Sequence, residues 1–202
     1  MNHVHFLNHP WHQLKFLSVS PLAQLAAPAD GPELAGLLAR VGVFRPWPPG
    51  AGNADRLPHL RAYLRMPGRG PRSRFGDGSF RIVYAGKSLA TCRAEIAHHH
   101  GRDLRDSGEP PGAARIFEAL VMRVGGRFVD AREGGAELYR PEDCGPAQAF
   151  GRQVKGAGEA GIVYRSVRWK SGECLAILDG DRVRSCVLAD LVGMRWDGRK
   201  LA

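Results

Sequence analysis

The chain has 202 residues, a hydrophobic fraction of 44% and a formal net charge of +9. That length fits one domain of ordinary size, or one domain with an extension, and the apolar fraction supports a proper core. No apolar run nears the roughly 20 residues of a membrane span, and the start MNHVHFLNHPWHQLKF, broken by His, Asn and Pro, is not a signal peptide, so a cytoplasmic chain is expected. Four scattered cysteines without a C-x-x-C pair argue against a disulfide framework or a zinc ribbon. A basic surface attracts polyanions: nucleic acid, nucleotides or an acidic partner. Of the 29 basic residues 24 are arginine, which grips phosphate in a bidentate way, although a general bias toward arginine gives the same composition.

Residues 1–58 have a character of their own. Ser20–Pro21 in SPLAQLAAP reads as a cap followed by a proline at the first helical position. In DGPELAGLLARVG, Asp30 is the predicted N-cap, Glu33 the capping-box partner and Gly42 the C-terminal stop, with Leu34, Leu37, Leu38 and Val41 as one apolar stripe. The Pro-rich FRPWPPGAGNAD then reads as a linker. Residues 1–58 are therefore expected to be an N-terminal helical extension with a linker, and residues 59–202 the main domain. There the pattern alternates. RIVYA (81–85) predicts a short strand, SLATCRAEIAHHH (88–100) a helix capped by Ser88, and GRDLRDSGEPPG (101–112) a loop. RIFEALVMRV (115–124) and RFVDA (127–131) predict two strands around a Gly-Gly turn. PAQAFGRQVKGAG (146–158) predicts a second helix closed by glycines, and GIVYRSV (161–167), CLAIL (174–178) and RVRSCVL (182–188) predict three further strands. Many short strands with few helices define an α+β fold around a mainly antiparallel sheet.

Three motifs do not survive their context. GAGEAG (156–161) matches G-x-G-x-x-G but follows a helix and precedes a strand, the reverse of a dinucleotide fingerprint. The triplet His98–His100 points in three directions on a helix and has no Cys or acidic partner at ligand spacing, so no metal site is expected; histidines in a last turn also suit the helix dipole. The loop GRGPRSRFG (68–76) is rich in arginine but lacks the interleaved aromatics of a single-strand binder.

One constellation stands out. Arg74 lies in a Gly-rich turn, Tyr84 at the end of an apolar strand beside the turn that opens a helix, and Glu95 inside that helix. Leu89, Cys92, Ile96 and His100 share one helical face, and Glu95 stands on its border. A strand–turn–helix unit can set Tyr84 and Glu95 around one cleft. Periodicity alone is equally satisfied by a core tyrosine, a rim glutamate and a loop arginine. Ser166 ends another apolar strand; with no G-x-S-x-G elbow around it, it fits a hydrogen-bonding residue better than a nucleophile.

Taken together, SRFGDGSFRIVYAGKSLATCRAE and GIVYRSVR…GECLA, with PAQAFG between them, closely resemble the RES domain family, named for Arg, Glu and Ser, over roughly residues 59–190. The resemblance sets the family's turn arginine on Arg74, its tyrosine on Tyr84, its glutamate on Glu95 and its serine on Ser166. An earlier strand arginine falls on Arg61 in HLRAYLR, with Arg45 in VFRPW as the alternative, and Arg72–Ser73 replaces the small residues usual before the turn arginine. Members of the family are toxins of bacterial toxin–antitoxin pairs with an ADP-ribosyltransferase-like fold that act on NAD. The resemblance thus implies NAD as substrate without a metal, cleavage of the nicotinamide–ribose bond by a glycohydrolase or phosphorylase, and an antitoxin partner of the Xre type. Glu95, Arg74 and Tyr84 are implied as catalytic, and Arg61, Arg74, Tyr84 and Ser166 as binding the dinucleotide. An ADP-ribosyltransferase acting on a protein would share every one of these residues. A non-catalytic nucleic-acid-binding module is a third reading, and direct binding of nucleic acid is not expected.

Overall fold

The apolar runs between residues 81 and 178 are nearly continuous, as strands buried on both faces require. In the computed structural model, which describes residues 1–16 and 56–202, these runs form the centre of a six-stranded sheet. The strands are β1 (His3–Phe16), β2 (Val83–Gly86), β3 (Ala114–Asp130), β4 (Gly161–Arg165), β5 (Glu173–Ile177) and β6 (Val183–Arg195). Three helices flank them, α1 (Leu57–Arg65), α2 (Leu89–Asp106) and α3 (Gly145–Gly156), with short 3-10 turns at Ala136–Tyr139 and Gly180–Arg182. None of the helices among the described residues is long and apolar enough to cross a membrane. The α+β architecture is the expected one.

Strand order is β1-β2-β5-β4-β3-β6, and β1 also pairs with β3, so five strands close into a ring with β6 outside it. Every pairing is antiparallel except β3 with β4. Alternation divides the side chains. Val83, Val163, Leu175 and Ile177 join Trp11, Leu120, Met122 and Phe128 on one face. Ile82, Ile162, Tyr164, Cys174 and Ala176 pack on the other against Phe75, Ala147 and Val154. A third cluster of Cys92, Leu104, Phe117, Val192 and Trp196 seats α2. Each fully buried large side chain contributes roughly 1.5–3 kcal/mol of transfer free energy.

The structure corrects the sequence reading in four places. Gly125–Gly126 is no hairpin turn, because β3 runs through it as one strand. One edge of β3 pairs with β6 up to Val124 and with β4 from Val129, and Gly126, at φ +112°, bends the strand where the partner changes. On its other edge β1 answers with a register shift between Phe6 and His9. Second, α2 does not stop at residue 100. Gly101 is buried within it, and Leu104 extends the Cys92–Ile96–His100 stripe by one more step of four. Leu89, assigned to that stripe, is exposed. Third, residues 57–65 form a helix, begun by Pro58 in its first turn. Fourth, residues 3–16, grouped by sequence with the extension, form β1 and pair with β3 from Phe117 to Val129. The two helices expected between residues 20 and 42, the Pro-rich linker and Arg45 lie outside the described residues.

Candidate active site

A cleft of about 660 Å³ opens between α2, the turn at residues 72–75, β2 and the start of α3. Its size suits a small-molecule ligand. Ser88 starts α2 by accepting a hydrogen bond from the Thr91 amide (3.2 Å), which aims the second turn of the helix, with Glu95, at the cleft. Glu95 Oε1 accepts a 2.5 Å hydrogen bond from Ser166 Oγ. Ser166 is itself buried, and its Oγ accepts from the amides of Arg168 (3.1 Å) and Trp169 (3.0 Å). One donor and two acceptors are all a hydroxyl has, so Ser166 is fully engaged behind Glu95 and does not line the cleft. Glu95 Oε2 has no protein hydrogen-bond partner among the described residues. Gly172 makes the approach possible: a Cβ there would lie 2.9 Å from Thr91 and 3.0 Å from Ser166.

Tyr84 and Arg74 meet through the turn. Tyr84 Oη bonds Ser73 Oγ (2.8 Å) and accepts the Phe75 amide (3.1 Å), while its ring lies edge-on to Tyr164. Burial pushes its phenol up to about 12, so it remains protonated across the physiological range. Arg74 donates through Nη1 to the carbonyls of Leu138 (3.0 Å) and Arg140 (3.2 Å), leaving Nε and Nη2 without a protein partner among the described residues. Arg72 stands beside it on the cleft wall.

Arg61 is not brought to the cleft. It sits on α1, and its guanidinium donates to the carbonyls of Gly180 (3.2 Å) and Val183 (2.9 Å), tying that helix to the start of β6. The structure instead places Arg56 on the wall, paired with Glu118 at 2.5 Å. Four further residues that the sequence reading did not assign to the site also line it: His98, His99, Arg102 and Arg168. The signal was present in the histidine triplet, which its sequence context linked to a metal or to the helix dipole. Burial, and then the charge of Arg168, drive His98 down to about 4, and burial lowers His99 as well, so both rings are neutral near pH 7. No group of three or more His, Cys, Asp or Glu among the described residues is arranged to hold a metal ion. Cys92, Cys174 and Cys186 are buried thiols, and Cys144 lies half-buried on the cleft wall.

The result is an α+β domain whose cleft combines one anchored carboxylate with a ring of arginines. Residues 51–197 match the model of the RES domain, and the chain belongs to that family. No curated protein matches it. The fold is similar to that of a chain in the crystal structure of the M. tuberculosis MbcT-MbcA toxin–antitoxin complex, with a TM-score of 0.51 at 10% identity, over 96% of this chain and 87% of that one.

Proposed function

We propose that this protein is an NAD-consuming toxin of a toxin–antitoxin pair that cleaves the nicotinamide–ribose bond. The observation that carries the reading is the Ser166–Glu95 hydrogen bond at 2.5 Å, which fixes a carboxylate on the wall of an arginine-ringed cleft. Breaking the C1′–N1 bond sends its electron pair to nicotinamide, which leaves as the neutral base, and positive charge develops on the ribose, as in glycoside hydrolysis. Glu95 Oε2 faces that charge or a ribose hydroxyl; a preorganised charge of this kind is worth several kcal/mol. The acceptor oxygen, from water or phosphate, bonds C1′ and releases its proton to solvent. Arg74, with Arg72, holds the pyrophosphate by charge-assisted hydrogen bonds. Tyr84 supplies an apolar wall for ribose and nicotinamide, and Ser166 holds Glu95 in place.

Family membership and the likeness to a chain of a toxin–antitoxin complex support a cognate antitoxin, of the Xre type by the family resemblance. The test is to incubate the purified chain with NAD, with and without phosphate, and to follow free nicotinamide. Release without any target protein supports the reading, and phosphate dependence distinguishes phosphorolysis from hydrolysis. Release only when a second protein is present and becomes labelled replaces it with protein ADP-ribosylation. Co-expression with the product of an adjacent reading frame is expected to restore growth and to yield a complex that no longer consumes NAD.

A further inference from the structure

The segment PAQAFG has no role in the chemistry above, yet α3, which it opens, grips the arginine turn at three successive points. Gln148, buried within the protein, donates through Nε2 to the Ser73 carbonyl (2.9 Å) and accepts from Arg72 Nη2 at Oε1 (3.2 Å). One helical step of three further on, Gly151 lies so close to the turn that a Cβ there would fall 2.0 Å from the Phe75 carbonyl oxygen. Arg152, the next residue, donates to Asp77 (2.8 Å) at the far end of the same loop. Residues i, i+3 and i+4 share one face of a helix, so α3 turns a single side toward residues 72–77.

We infer that Gln148 is a positioning residue that sets the Arg72–Arg74 turn for binding a pyrophosphate. Its amide is the one described side chain that bonds both the turn's main chain and one of its arginines. An apolar side chain of the same size would leave the Ser73 carbonyl unpaired and free Arg72 to swing. The pyrophosphate would then lose a preoriented guanidinium, whereas Glu95 and Ser166, on other elements, would be untouched. The inference rests on the nucleotide reading proposed above, but one arm of its test does not require turnover.

The probe is ADP, the pyrophosphate-bearing half of the dinucleotide, titrated calorimetrically into the full chain and into Gln148→Met and Gln148→Glu. Gln148→Glu keeps the shape, loses the donor to Ser73 and places a carboxylate beside Arg72, so it serves if Gln148→Met does not fold. In each folded variant ADP affinity is expected to fall at least tenfold. Amide exchange at Phe75 and Gly76 should quicken by a similar factor, with no change at β4 or β5. In turnover, KM for NAD should rise at least tenfold with kcat within threefold of wild type. The inference is overturned if wild type fails to bind ADP, or if affinity and exchange in the variants stay within twofold. It is overturned equally if exchange quickens throughout the domain, which marks a purely structural role. Wild-type chain that binds ADP but releases no nicotinamide from NAD defeats the proposed reaction while leaving this inference to stand or fall on binding and exchange.

Discussion

Ser166 and Glu95 lie 71 residues apart in the chain, yet the hydroxyl of one is locked to the carboxylate of the other at 2.5 Å. The two residues therefore act as a unit, and their substitutions should not be additive. Glu95→Gln keeps the shape but cannot balance a developing cation, so nicotinamide release should fall by about 10²-fold or more. Ser166→Ala leaves the carboxylate in place with only the long contact from Cys174 Sγ (3.9 Å), and release should fall by a smaller factor. The variant should also lose about 1–2 kcal/mol of stability, because the amides of Arg168 and Trp169 lose their acceptor. Rate and denaturant midpoint, measured on both single variants and the double, check this; equal and additive losses would refute it.

Tyr84→Phe removes the hydroxyl that joins Ser73 and the Phe75 amide while keeping the ring. The expected cost is about 1–3 kcal/mol, the usual penalty for stranding a buried donor, with KM rising more than kcat falls. Because the phenol titrates only near 12, the variant's pH–rate profile between pH 6 and 9 should parallel that of wild type. A shifted profile would give Tyr84 a proton-transfer role in place of its hold on the turn.

Arg74→Lys keeps the charge but cannot reproduce a planar fork that serves two main-chain carbonyls and a ligand at once. ADP affinity should drop roughly tenfold. Unchanged affinity by calorimetry would make Arg74 a purely structural tie to residues 138–140.

Acid should destabilise the fold through His98. Its folded value, about 4, lies below its ordinary 6.5, so the unfolded chain binds more protons between those two pH values. Stability then falls as pH drops from about 6.5 toward 4, and above 6.5 this group has no effect. His98→Gln should flatten that part of the melting-temperature profile. Parallel profiles for the two proteins would show that the acid loss originates elsewhere.

The elements that could be read from the sequence are those whose local signals agree with their surroundings. Ser88 caps α2 as predicted because its side chain reaches the Thr91 amide, and the runs at 161–164 and 174–177 are buried at every step because both their faces are covered. Misreadings arose where tertiary contacts overrode a local rule. Gly101 and the Gly125–Gly126 pair resemble stops, but one is held in α2 over Trp196 and the other bends a strand that two partners continue to pair. The strand at 3–16 carries four histidines and is interrupted by Asn8 and Pro10, and it acquires its regularity from pairing with β3 and, at His12, with β2. In the site, Arg74, Tyr84 and Glu95 came from motif order, whereas Arg102, Arg168 and His98 converge only through folding.

The closed ring of strands orders the protein's life during synthesis. β1 pairs with residues more than a hundred positions downstream, and Glu95 acquires its anchor only once Ser166 has been made. Pairings across such separations form slowly, because a long loop must close before any contact rewards it. A ribosome-bound chain that has emerged only as far as α3 has its arginine turn and its glutamate but neither the hydroxyl that fixes the carboxylate nor the two strands that close the ring. On the proposed reading such a nascent chain lacks the held carboxylate that the reaction needs, and the cleft is completed only near the end of translation.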